Sequence, residues 1–252
     1  MRLLLPPSET KRDGGNGAPL DLTRLAHPEL TGLRRQLVDR VVALADDPDA
    51  MMRALRLGPR LASEVDRNRR LRETPTMPAI DRYTGVLFDA LDAGSLDDAS
   101  RSFAAETVVV HSALFGFVGA LDPVPAYRLS HDSRVPGIAL RRHWRSALAG
   151  RLTDDRGVTV DLRSEGYAEL GPLPRRVDSV FVRIVSIGAD GRRRALNHFN
   201  KQAKGRFTRA LLESRPELAS VDGLIDWAAR KGFTLEVRDG SAVGPHELEL
   251  VA

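Results

Sequence analysis

Ser179–Ile187, read SVFVRIVSI, decides the fold. Its β-branched and aromatic residues are broken only by Arg183 and Ser186, the pattern of a strand buried in a sheet. Gly188-Ala189-Asp190-Gly191 follows and predicts a hairpin turn into a second strand near 192–198. Working outward, Thr107–His111 (TVVVH) is another β-branched run, Val158–Leu162 a third, and Arg2–Leu5 a short apolar run stopped by Pro6-Pro7. Two short strands near 233–238 and 246–251 close the chain. Between the strands, apolar residues recur at helical spacing. Leu30, Leu33, Leu37, Val41 and Leu44 predict a helix from Pro28 to about Ala45, with others at 49–57, 60–72, 79–91, 96–105, 138–149, 199–214 and 222–231. Ser95 is the expected N-cap of the 96–105 helix and Gly232 the residue after the last one. Asp13–Gly17 reads as flexible turn material and Ser112–Gly116 as a loop or short helix. No linker and no internal repeat divides the chain, so the expectation is one α/β domain, 1–252, with a central, partly antiparallel sheet flanked by helices.

Composition removes several kinds of function. The 252 residues include no cysteine, which excludes disulfides, thiolate metal sites, iron–sulfur clusters and thiol peroxidase chemistry. Any link to oxidants is therefore indirect. No apolar run has the ~20 residues of a membrane helix, and the three leucines of MRLLLPP are too few for a signal-peptide core, so a soluble, cytoplasmic protein without membrane partners is expected. The six histidines, at 27, 111, 131, 143, 198 and 246, show no pair at helical metal-binding spacing, and no metal or cofactor is expected. His111-Ser112 and His131-Asp132 are sequence neighbours, an arrangement that seldom has triad geometry.

The charge is local. Arg192, Arg193, Arg194, Lys201, Lys204, Arg206 and Arg209 fall in a window without an acidic residue, and since the whole chain carries only +4, the remainder sums to −3. On a helical wheel Phe199, Ala203, Phe207 and Ala210 fall on one side, with Lys201, Lys204, Gly205 and Arg209 on the other. A mid-helix glycine costs about 1 kcal/mol against alanine, so Gly205 implies close approach of a ligand or another backbone. A second basic stretch, Arg53–Arg72, contains Leu57-Gly58-Pro59-Arg60-Leu61-Ala62, a faint echo of one half of a helix-hairpin-helix DNA clamp. Of the 38 basic residues only Lys11, Lys201, Lys204 and Lys231 are lysines, marking positions where arginine does not serve.

Polar residues collect in loops beside the apolar strands: Ser8, Glu9, Thr10 and Lys11; Tyr83, Thr84 and Gly85; His111-Ser112 through to Tyr127 and Arg128; and Ser164, Glu165, Gly166 and Tyr167. Loops of this kind line pockets at strand ends. None of them matches a Walker loop, a GxGxxG turn, a GxSxG elbow or an HExxH helix.

Taken in order, PPSETK at 6–11, RYTG at 82–85, SALFGFVGALDPVPAYRL at 112–129, His143-Trp144, DLRSEGY at 161–167 and NKQAKGRFTRAL at 200–211 resemble the YaaA family of bacterial peroxide-stress proteins. The resemblance covers nearly the whole chain. It implies a single α/β domain and cytosolic action in the response to hydrogen peroxide, limiting damage linked to free iron, with DNA binding and a helix-hairpin-helix-like element. The lysine of the opening loop is delayed here to Lys11, and the family's Lys-Lys-Ala-Arg-Gly run becomes Lys201-Gln202-Ala203-Lys204-Gly205.

Two functions follow. In the first, Lys201, Lys204, Gly205, Arg206 and Arg209, extended by Arg192, Arg193 and Arg194, contact phosphates of distorted or damaged DNA, reading structure more than sequence. In the second, the chain is an enzyme acting on a nucleotide or other phosphorylated small molecule. There Glu9 is acid or base, Tyr83 and Tyr127 bond or stack, and Arg128, Lys201 and Lys204 clamp the anion. Ser8, Lys11, Thr84, Gly85, Ser112, Ser164, Glu165 and Tyr167 line the pocket in that case.

Overall fold

The structure, a computed structural model, describes residues 1–154, 156–187, 193–195, 198–238 and 246–251, and of 187, 193–195, 198, 199 and 246 the backbone alone. In chain order the elements are β1 (Arg2–Leu5), β2 (Gly17–Pro19), α1 (Thr31–Leu44), α2 (Pro48–Leu55), α3 (Ser63–Arg69), β3 (Pro75–Pro78), α4 (Ala79–Arg82), α5 (Val86–Leu91), α6 (Asp98–Thr107), β4 (Val108–Ser112), β5 (Gly116–Gly119) and β6 (Pro123–Val124). There follow α7 (Leu140–Asp154), β7 (Thr159–Asp161), α8 (Glu165–Ala168), β8 (Ser179–Ile187), β9 (Arg193–Ala195), α9 (His198–Ser214), α10 (Val221–Arg230), β10 (Thr234–Val237) and β11 (His246–Val251).

The main sheet runs β10-β11-β8-β7-β1-β4-β5, with β9 added on β8. Its centre is parallel: β1 pairs with β4 on one side and β7 on the other, β7 with β8, and β8 with β11. The margins β4–β5, β8–β9 and β10–β11 are antiparallel. Parallel strands covered on both faces are continuous apolar runs, and Leu3–Leu5, Val108–Val110, Val160, Val180 and Val182 are all buried. The turn predicted at 188–191 lies outside the described residues, although the antiparallel pairing it implied is present.

Several expectations need correction. The helix expected over 79–91 is two, α4 and α5, because Tyr83-Thr84-Gly85 leaves the helix to join the loop after β1. The Lys11–Tyr83 bridge, the Thr84 N–H to Thr10 carbonyl bond and Gly85 at φ 92° all fix that break. The N-cap of α6 is Asp97, which accepts from the Ser100 amide, not Ser95. The 49–57 helix stops at Leu55 with Arg56 left-handed, and 60–72 contracts to α3 after a short 3-10 turn. Ser112–Gly116 is a tight turn into β5, a strand the sequence reading missed. Missed too is the small antiparallel sheet β2-β3-β6.

Candidate functional site at the carboxyl edge of the sheet

β1 stands where the topology reverses: the chain crosses from it to β4 on one side and later returns to β7 on the other. In open α/β sheets the crevice beyond the carboxyl ends of strands at such a point is where ligands bind. The segments leaving these three ends are Pro6–Lys11, Ser112–Phe115 and Leu162–Tyr167, the loops the sequence singled out.

One group forms around Lys11. Its ammonium donates to the carbonyls of Ser8 (2.9 Å) and Glu9 (3.2 Å) and lies 4.1 Å from the centre of the Tyr127 ring and 5.3 Å from that of Tyr83. The side chain is only 5% exposed. Glu64 and Glu9, the acids whose field reaches it, are held by Arg67 and Arg128. Burial, with Arg128 adding repulsion, therefore lowers the Lys11 amine to about 7. Beside it the Tyr127 hydroxyl is bonded to the Ser112 hydroxyl (2.7 Å) and the Tyr83 hydroxyl (2.8 Å). Ser112 Oγ in turn accepts from the amides of Leu114 and Phe115. Burial pushes both tyrosines above their usual range, so they stay protonated and able to relay a hydrogen. Ser8 Oγ accepts from the Thr84 amide, and Arg128 pairs with the exposed carboxylate of Glu9 across the mouth.

A second group lies on the opposite face of the same edge. In register, Leu4 faces Val109 and Asp161, so Asp161, His111 and Arg163 share one face while Ser112 takes the other. Asp161 and Arg163 form a fully buried ion pair at 2.6 Å. Arg163 also donates to Nδ1 of His111 at 2.8 Å. That donation places the neutral ring's proton on Nε2, where it finds no partner among the described residues. Burial and the guanidinium hold His111 well below its ordinary value, so it is neutral at physiological pH. Tyr167 packs edge-on to His111 and His131, its own hydroxyl pushed up by burial. Lys204 reaches this group from α9 and donates to the Arg163 carbonyl at 3.2 Å; burial lowers it to about 8.

The structure thus brings together Ser8, Lys11, Tyr83, Thr84, Ser112 and Tyr127, and joins Glu9 to Arg128. Glu165 is drawn instead to Arg183, and Ser164 is exposed at the start of α8. The basic track is not continuous. Lys204 and Gly205 are buried, Lys201 and Arg206 of α9 are exposed, and Arg209 donates to the Leu91 and Asp92 carbonyls at the end of α5. Gly205 is required by a backbone rather than a ligand: a Cβ there would lie 2.2 Å from the Leu87 carbonyl oxygen. Arg192 lies outside the described residues, while Arg193 and Arg194 sit on β9. In the second basic stretch Arg56, Arg67, Arg69, Arg70 and Arg72 are all paired with acids. The 57–62 segment places Gly58 at φ −77°, ahead of a 3-10 turn.

Sequence reasoning missed Asp161, Arg163 and His111 as a unit. The available signal was a charged pair, DLR, at the end of an apolar strand, where isolated charges are too costly to bury. A cavity of about 130 Å³ lies against Arg12, Tyr83 and Thr84, and one of about 320 Å³ against Asp13, Arg67 and Ala126. The smaller reaches Arg12, next to Lys11, and the larger Ala126, next to Tyr127; neither is lined by Lys11, Glu9, Arg128 or Lys201. Among the described residues no group of three or more metal-ligating side chains is gathered, and no helix is long and apolar enough to cross a membrane.

Fold and site together define an α/β protein with a polar, partly buried site at the switch point of its sheet. The chain belongs to the family described as peroxide stress protein YaaA, whose model matches residues 1–238. It is 40% identical over 245 residues to a UPF0246 protein of Corynebacterium efficiens, covering 95% of this chain and 96% of that one. A UPF0246 protein of Corynebacterium glutamicum is 39% identical over 241 residues (94% and 95%), and one of Streptomyces coelicolor 39% over 240 (94% and 92%). Membership in this family supports a role in the peroxide response.

Proposed function

We propose that the chain serves the peroxide response as an enzyme on an anionic small molecule, of the nucleotide or phosphorylated class, bound at the carboxyl edge of β1, β4 and β7. One observation carries this reading: Lys11, a buried amine without a carboxylate partner among the described residues, sits at the switch point under the Glu9–Arg128 pair. A group with its proton affinity shifted toward neutrality by burial and a like charge, in a place where the fold binds ligands, is the physical profile of a working site. An incoming phosphate would take Arg128 from Glu9, and the tyrosine–serine hydroxyls would orient and relay protons.

The test is ligand-induced stabilisation with inorganic phosphate, pyrophosphate and nucleoside monophosphates. A ligand at a hundred times its Kd adds about 2.7 kcal/mol. The expected outcome is a rise in melting temperature with at least one of these, lost in Arg128→Met; no rise with any of them rejects the reading.

The exposure of Lys201 and Arg206 on α9, directly after the arginine-bearing β9, favours a second reading, binding of distorted DNA. In it the contacts are Lys201, Arg206 and the β9 arginines, without Lys204 and Gly205. Affinity for a bulged duplex would then fall steeply with salt and drop in Lys201→Ala/Arg206→Ala.

A further inference from the structure

Lysine is scarce in this chain, four residues among 38 basic ones. Its distribution is uneven: Lys201 and Lys231 are exposed, whereas Lys11 and Lys204 are 5% and 6% exposed. Arginine supplies the fully buried cations Arg34, Arg82 and Arg163, so a fixed internal charge is made with a guanidinium here. What lysine offers and arginine does not is a proton it can lose.

We infer that Lys11 is an amine nucleophile that forms an imine with an aldehyde or ketone bearing a phosphate, the anionic end of the substrate docking on Arg128. This rests on the ligand site proposed above and names its chemistry. Lysine becomes nucleophilic when it is desolvated or placed beside another cation, and Lys11 is both, with Arg128 as the neighbour. Two of its N–H groups are fixed by the Ser8 and Glu9 carbonyls. A neutral amine keeps two N–H groups, so both bonds survive deprotonation and the lone pair takes the third position.

The amine nitrogen attacks the carbonyl carbon and a C–N bond forms. The carbonyl oxygen takes up a proton as the nitrogen releases one. The resulting carbinolamine expels its hydroxyl, with a second proton, as water and leaves C=N. One water is released and nothing is oxidised or reduced. The Tyr83–Tyr127–Ser112 hydroxyl chain, carried on the ring under the amine, provides donors and acceptors for these protons without bulk solvent. Glu9, whose side chain is 63% exposed, can leave Arg128 to the substrate's phosphate.

The full chain is incubated at pH 7.5 with pyridoxal phosphate, a phosphorylated aldehyde, and the adducts are reduced with borohydride and mapped by peptide mass spectrometry. Lys201 and Lys231 are internal controls for ordinary exposed amines. The expected result is labelling of Lys11 at least tenfold faster than of either control, slowed by excess inorganic phosphate. Lys11→Arg should lose that adduct. Labelling confined to the exposed amines, or no faster at Lys11, overturns the inference. If phosphate still binds in that case, the ligand site stands without the imine; if it does not, both fall. Because the decisive reading is made on the unaltered protein, a variant that folds poorly does not blunt it.

Discussion

Arg82 and Lys11 are both buried cations, and both grip the same loop by its carbonyls, yet they do it differently. Arg82 donates to the carbonyls of Arg12, Gly14, Pro75 and Val124, which ties the loop to β3 and β6. Lys11 takes only the Ser8 and Glu9 carbonyls. Burial lowers the guanidinium to about 10 and the amine to about 7. At physiological pH the first remains a permanent charge and the second is divided between two protonation states. The loop after β1 is thus fastened by one cation and armed by the other, and removing each should have different consequences.

The largest effect is expected from Arg82→Leu. It leaves four carbonyls without their shared donor, and stripping the partner from buried polar groups costs about 3–5 kcal/mol. Urea unfolding should show a loss of that size; a change below about 1 kcal/mol would mean that water satisfies these carbonyls and Arg82 is no anchor.

A smaller effect separates the two cations by pH. Lys11 and Lys204 have folded-state values of about 7 and about 8, below the ordinary lysine value of 10.5. Between these limits the unfolded chain binds more protons than the folded one, so stability rises with pH, and the cost of burying the charges is greatest below 7. Each lysine contributes at most ~1.4 kcal/mol per pH unit to that slope. Unfolding free energies at pH 7, 8 and 9 should rise in the wild type and rise less steeply in Lys11→Met, where Lys204 alone of the two remains. An unchanged slope in the variant would show that Lys11 keeps an ordinary proton affinity.

Glu9→Gln should do least to stability, within about 0.5 kcal/mol, because an ion pair with one exposed member contributes little. If thermal melts instead show a drop of several degrees, the Glu9–Arg128 pair is a fastening like Arg82 and not a removable cover.

Much of this arrangement was legible in the sequence, for identifiable reasons. β1, β4, β8 and the terminal strands are dense apolar or β-branched runs, and α1 has a clean helical repeat, so their bounds fall within a few residues of expectation. The Lys11, Tyr83, Ser112 and Tyr127 loops were found because polar residues sat beside strands that had to be buried. The sheet β2-β3-β6 was not found, since Gly17–Pro19, Pro75–Pro78 and Pro123–Val124 carry the residues that ordinarily end strands. Lys204 was put on the wrong side of α9 because a helical wheel sorts by polarity. Gly205 was the clue to the error: α5 comes so close there that Gly205 and Lys204 beside it are buried, while Lys201 stays exposed. The break between α4 and α5 escaped because AIDRYTGVLFDAL keeps helical spacing straight through Gly85, and only partners far along the chain pull it apart.

The position of β1 has a consequence for how the molecule comes together. Arg2–Leu5 lies inside the parallel part of the sheet, but its neighbours are Val108–Val110 and Thr159–Asp161. The strand about which the sheet is ordered must wait through more than half the chain before both its edges can be paired. Closing such loops is paid in entropy before any contact rewards it, which makes assembly slow and leaves an apolar strand uncovered in the interval. Pro6 and Pro7, directly after it, cap the length of that uncovered edge and limit its ability to pair with a second copy.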